Sequence, residues 1–162
     1  MCDASGRGDY IYIDTVRLSV LEPASPSAYA LWVSSQGLDA AESDQTLDPD
    51  DDGKNNLLEY ALGGVPTDGS DGSSLSPTST HLEDAGTYWV DYVYRRRTDA
   101  ATRGLSYETQ HSGTLAPESW SSTGFTETSI APIDSDFESA TSRILAEGID
   151  QLFIRLEIKS SE

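Results

Sequence analysis

Oxygen-bearing side chains recur at every second position from Asp48 to Asp52, and two more follow at Asn56 and Glu59. The segment reads Asp48-Pro49-Asp50-Asp51-Asp52-Gly53-Lys54-Asn55-Asn56-Leu57-Leu58-Glu59. Hard divalent cations take oxygen ligands, and Ca2+ takes about six to eight of them. A twelve-residue loop meets that need with side chains at positions 1, 3 and 5, a backbone carbonyl at 7, a water-linked group at 9 and a bidentate Glu at 12. Those positions fall on Asp48, Asp50, Asp52, the Lys54 carbonyl, Asn56 and Glu59. Gly53 stands at position 6, where the backbone must turn sharply. Pro49 fits an extended position, and Asp51 is expected to point to solvent. Without an ion the carboxylates of Asp48, Asp50, Asp52 and Glu59 would converge as uncompensated like charges.

Other chemistry has less support. His81 and His111 lack a neighbouring Cys or a metal-type spacing. No GxSxG elbow, Gly-rich phosphate loop or HExxH occurs, so no catalytic residue is assigned. Acids dense in loops are read as solvated. Arg7-Gly8-Asp9 matches an integrin-binding tripeptide that arises readily by chance. The aromatic series Tyr88, Trp89, Tyr92 and Tyr94 reads as the buried face of a strand. Trp89 and Trp120, if exposed, are the candidates for stacking on sugar rings. Arg95, Arg96 and Arg97 are expected to pair with carboxylates.

Lys plus Arg total 10 against 28 Asp plus Glu, a formal net charge of -18. Such a chain is ill-suited to nucleic acid or an anionic membrane surface, and suits a calcium-rich medium. No apolar run reaches the roughly 20 residues of a membrane span. Cys2 is the lone cysteine, which excludes an internal disulfide and a cysteine metal cluster. No signal-peptide pattern follows Met1. The chain's start is expected to be the interior of a longer protein, because a strand pattern begins within ten residues.

The elements that must position the loop follow from periodicity. Residues 9–20 alternate as a strand, and Pro23 and Pro26 end it. Ala28, Leu31, Trp32 and Ser35 have helical spacing, with Ser25 or Ser27 as cap and Gly37 as C-cap. Residues 39–47 read as a polar loop. Leu57, Leu58, Tyr60, Ala61 and Leu62 form a second helix that Gly63-Gly64-Val65-Pro66 ends. Thr67–Ser79 is rich in Gly, Ser and Asp and reads as irregular. Beyond it, strands are expected at Tyr88–Arg97, Leu105–Ser112, one or two within 119–133, one near Ser142–Glu147 and a last at Leu152–Ile158.

The stretch from Ala30 to Pro66, with its tryptophan helix, DxDxDGxxNxxEY loop and ALGxxP ending, resembles a recurrent module of large secreted bacterial proteins. In its ligands it is similar to an EF-hand, to thrombospondin type 3 repeats and to half of a dockerin. Asn55 at position 8 departs from paired EF-hands, which place an aliphatic residue there. No second loop is present: the one begun at Asp68 has Ser79 at its twelfth position, and the one begun at Asp134 has Leu145. Tyr92–Arg97, Leu105–Gln110, Trp120 and Phe153–Leu156 resemble the β-module near the C-terminus of such proteins. Gly8–Leu18 resembles the last strand of a galactose-binding-like or laminin-G-like domain.

These readings predict a mainly β chain with a small α part: a helix–calcium loop–helix followed by an antiparallel β-sandwich. The expected divisions are 1–22, the end of a truncated upstream β-domain; 23–66, the calcium module; 67–86, a linker; and 87–162, the sandwich. The resemblance implies an extracellular, non-catalytic, calcium-binding accessory or spacer beside neighbouring domains, with a carbohydrate-binding module for polysaccharide as the alternative.

Overall fold

A computed structural model of the chain describes residues 25–161. The strand expected at residues 9–20, Cys2 and the Arg7-Gly8-Asp9 tripeptide lie outside them. The described residues are mainly β with antiparallel sheets and a small helical part, as the periodicity predicts.

Helix α1 spans Ala28–Gln36. Its N-cap is Ser27, whose hydroxyl accepts from Ala30 N–H, and its C-cap is Gly37 in the left-handed region. Helix α2 spans Asn56–Leu62 and stops at Gly63, also left-handed at φ 82. Its N-cap is Asn55, whose side chain accepts from Leu58 N–H. That accounts for Asn55 at position 8: it caps the outgoing helix instead of building a strand between paired loops.

A short helix α3 (Gly72–Leu75) and strand β1 (Thr78–Asp84) follow. Both fall inside residues 67–86, so the stretch expected to be irregular, 67–79, holds a short helix and the start of a strand. Composition misled here because β1, Thr-Ser-Thr-His-Leu-Glu-Asp, is an edge strand with almost no buried side chain. Strand pairing, not a hydrophobic stripe, holds it. It forms a hairpin with β2 (Thr87–Arg97) through Ala85 and Gly86, whose φ values of 52 and 79 make the turn that matches strand twist.

The remaining strands are β3 (Leu105–Ser112), β4 (Thr126–Pro132), β5 (Phe137–Leu145) and β6 (Phe153–Ser160). One sheet has the order β1-β2-β5-β4 and the other pairs β3 with β6. In β2 the buried residues are Val90, Tyr92, Tyr94 and Arg97, with Tyr88 exposed where the strand enters solvent. Tyr92, Tyr94 and Ala140 of the large sheet pack against Tyr107, Ile154 and Leu156 of the small one. The three arginines at the end of β2 pair with acids as expected: Arg95 with Asp134, Arg96 with Glu127 and Glu138, Arg97 with Asp99.

The helices are fastened to this sandwich. Tyr29, Tyr60, Ala61 and Leu105 make one cluster, with Trp32, Val33, Leu57, Tyr107 and Ile158 packed around it. The Tyr107 hydroxyl donates to Ala61 O at 2.6 Å and accepts from Arg97 N–H at 3.3 Å. Arg97 Nη1 donates to Tyr60 O at 3.1 Å. Segments 23–66 and 87–162, expected as separate units, therefore share a core where they are described.

Candidate metal centre

The loop from Asp48 enters without a helix of its own, because α1 ends at Gln36. Hydrogen bonds anchor the approach instead: Asn56 N–H donates to Leu47 O at 2.7 Å and Leu57 N–H to Gln45 O at 3.0 Å. Asp51, exposed as expected, takes a positive φ of 59, and Gly53 one of 89. These two reversals bend the loop so that alternate side chains converge.

Each aspartate divides its two oxygens between two tasks. Gly53 N–H donates to Asp48 Oδ2, Asp52 N–H to Asp50 Oδ1, and Lys54 N–H to Asp52 Oδ1, at 2.9, 3.3 and 2.7 Å. The other oxygens, Asp48 Oδ1, Asp50 Oδ2 and Asp52 Oδ2, are buried and have no hydrogen-bond partner. One oxygen from each of Asp48, Asp50 and Asp52 lies within 4.8 Å of the others. Backbone amides thus fix the carboxylates while leaving one lone-pair face of each turned inward.

Glu59 is 0 % exposed, and both Oε1 and Oε2 lack a hydrogen-bond partner. Helix α2 carries it in, with Asn55 O accepting from its N–H. Burial, followed by the charges of Asp50, Asp71, Asp52 and Asp48, pushes its carboxyl up to about 8. Asp50 is also raised, chiefly by burial. A buried carboxylate without a donor is costly, and native interiors rarely retain one. A cation in the cluster would satisfy it. Asp48, Asp50, Asp52, Glu59 and Asp71 form groups that could hold a metal ion.

Asp71 was not expected. It belongs to the Asp68–Gly72 turn, which fails as a second loop for want of a twelfth-position Glu. The structure brings it to the first loop, where one of its oxygens lies within 4.8 Å of oxygens from Asp52 and Glu59. The sequence signal was the repeated Asp-Gly, but only the fold reveals which loop it serves.

Asn56, expected to act through water, has its amide nitrogen committed elsewhere. Nδ2 donates to Glu42 O at 2.6 Å and to Asp44 O at 2.8 Å, and Oδ1 is buried without a partner. Lys54 contributes its N–H to Asp52, which leaves its carbonyl for the role the spacing assigns.

The two tryptophans considered for sugar stacking, Trp89 and Trp120, differ. Trp89 lines a concavity of about 470 Å³ with His81, Tyr88, Ile149 and Leu152. Trp120 is covered by the Arg155 guanidinium, 4.3 Å from its ring centroid. No helix among the described residues is long and apolar enough to cross a membrane.

Comparison with protein-family models, curated proteins and solved structures returned no match. The functional reading therefore rests on the residues and their geometry.

Proposed function

We propose that the chain is a non-catalytic calcium-binding accessory region of a secreted multidomain protein, and that the ion rigidifies the join between its helical arm and its sandwich. One observation carries this reading: Glu59 is fully buried among four aspartates with neither oxygen satisfied. We read the ion as calcium because the loop's own unpartnered carboxylate oxygens number five, from Asp48, Asp50, Asp52 and Glu59, and the Lys54 carbonyl that the spacing assigns makes six. That number and the all-oxygen chemistry match calcium, whereas magnesium prefers to retain several waters. An extracellular setting fits the module's resemblance and the charge of -18, and implies a dissociation constant of roughly 10⁻⁴ to 10⁻³ M.

Calorimetric titration of the chelator-treated chain with CaCl2 tests this. Binding by the wild type and its loss in Glu59→Gln are expected. A wild type that gives no binding signal at millimolar calcium sinks the reading.

A second reading, carbohydrate binding, draws on the concavity beside Trp89 and the 55 % exposed Tyr88. Apolar rings at an open cleft are what a sugar face stacks on. Retention on insoluble polysaccharides, abolished by Trp89→Ala and unaffected by Trp120→Ala, is its expected signature. A wild type that passes every polysaccharide unretarded removes it.

A further inference from the structure

We propose that Asp71 is a direct ligand of the same ion, and that the turn at residues 65–72 closes over the loop in place of a second calcium loop. The proposal rests on the calcium reading above.

Asp71 Oδ2 accepts from Val65 N–H at 2.9 Å, and this bond shapes the turn. A residue serving only the turn would need no more. Its other oxygen, Oδ1, is nonetheless buried and unpartnered. Asp71 thus repeats the division seen in Asp48, Asp50 and Asp52: one oxygen held by a backbone amide, the other free for an ion. The independent observation is Glu59, wholly buried and unsatisfied at both oxygens, with one oxygen within 4.8 Å of an Asp71 oxygen.

The chain over the site has no room for side chains. A Cβ at Gly72 would collide with the Asp52 carboxylate, 2.7 Å from its Cγ. One at Gly64 would lie 3.1 Å from Glu59 Oε1, and one at Gly69 would lie 3.0 Å from Asp50 O. Three glycines in nine residues thus let the backbone press onto three of the loop's acids. Paired calcium loops brace one another through backbone contact. Here the bracing surface is a turn of the same chain, which leads through α3 into β1. The ion would then hold the first strand of the large sheet as well as α2.

The test compares the wild type with Asp71→Asn, Asp68→Asn and Glu59→Gln. Asp71→Asn keeps an acceptor for Val65 N–H and loses the charge. Asp68 is exposed and caps Ser70, so it controls for charge in the same turn. Calorimetry with CaCl2 is expected to give one ion per chain. Affinity should fall roughly tenfold or more in Asp71→Asn and stay within about twofold of wild type in Asp68→Asn. With TbCl3 as probe, luminescence lifetimes in H2O and D2O should report about one more bound water in Asp71→Asn, because water fills the vacated position.

If the wild type binds no calcium, this proposal and the calcium reading fall together. If the wild type binds and Asp71→Asn binds equally well, the proposal falls alone. Weakened affinity with an unchanged water count would make Asp71 a distant charge and overturn direct ligation. Two ions per chain would place Asp71 on a separate centre and would overturn it as well. Should Asp71→Asn not fold, hydrogen exchange of the wild type decides: calcium should slow exchange across residues 65–72, and unchanged exchange there overturns the proposal.

Discussion

At Glu59 stability and binding oppose one another. A bound calcium ion would give its two oxygens a partner; without one, burial and the neighbouring acids disfavour its charge and leave both oxygens unsatisfied. Glu59→Gln should therefore shift the two melting curves in opposite directions. The variant is expected to melt above the wild type in chelator and below it in excess calcium. Curves displaced in the same direction in both buffers would contradict this account. Asn56 makes the contrasting case. Its amide holds the carbonyls of Glu42 and Asp44, which are otherwise left without that donor. Asn56→Ala should cost about 2–3 kcal/mol in chemical denaturation, nearly the same with and without calcium. A loss confined to the calcium form would instead give Asn56 its role through the ion. The converging acids of the loop were legible because the calcium-loop pattern imposes a fixed spacing on one contiguous segment. Asp71 was not, because its partners lie 12 and 19 residues away, at Glu59 and Asp52, and nothing local marks which loop it faces.

The elements are joined more tightly than the sequence suggests. Periodicity located α1, α2 and the core of β2, although α1 buries Tyr29 and packs Trp32 and Val33 on the core while Leu31 of the expected stripe is 57 % exposed. It missed β1, which has no apolar stripe and is held by hydrogen bonds to β2. It also gave no sign that α2 would settle on the strands, where Tyr60 and Ala61 pack on Leu105 and their backbone carbonyls accept from Arg97 and Tyr107. The Tyr107 hydroxyl meets α2 at Ala61 O and β2 at Arg97 N–H. Burial, the largest cause, pushes this phenol up to about 12, so it remains a donor at any physiological pH. Tyr107→Phe removes both bonds and should cost about 1–2 kcal/mol, measured by urea denaturation. At the same end of α2, its C-cap Gly63 has φ 82, and a Cβ there would lie 2.5 Å from Phe137 Cζ. Gly63→Ala combines left-handed strain with that collision and should cost about 2 kcal/mol or more. Wild-type stability in that variant would mean that Phe137 yields freely.

For the whole molecule, the shared core of Tyr29, Tyr60, Ala61 and Leu105 predicts a single cooperative transition. Far-ultraviolet ellipticity and tyrosine–tryptophan fluorescence should trace the same melting curve. Calcium at ten times its dissociation constant should add about 1.4 kcal/mol and move that one midpoint upward. Two separated transitions would restore independent units. The large sheet's outer strands have a different consequence. Strand β1 ends in Glu83 and Asp84; strand β4 carries Glu127, an irregular register between Glu127 and Ser129, and Pro132. A second copy approaching β1 would meet like charge, and one approaching β4 would meet like charge, an irregular strand and a residue that cannot donate. The protein can thus be crowded without its sheets fusing into ribbons, and this colloidal protection weakens as salt screens the acids.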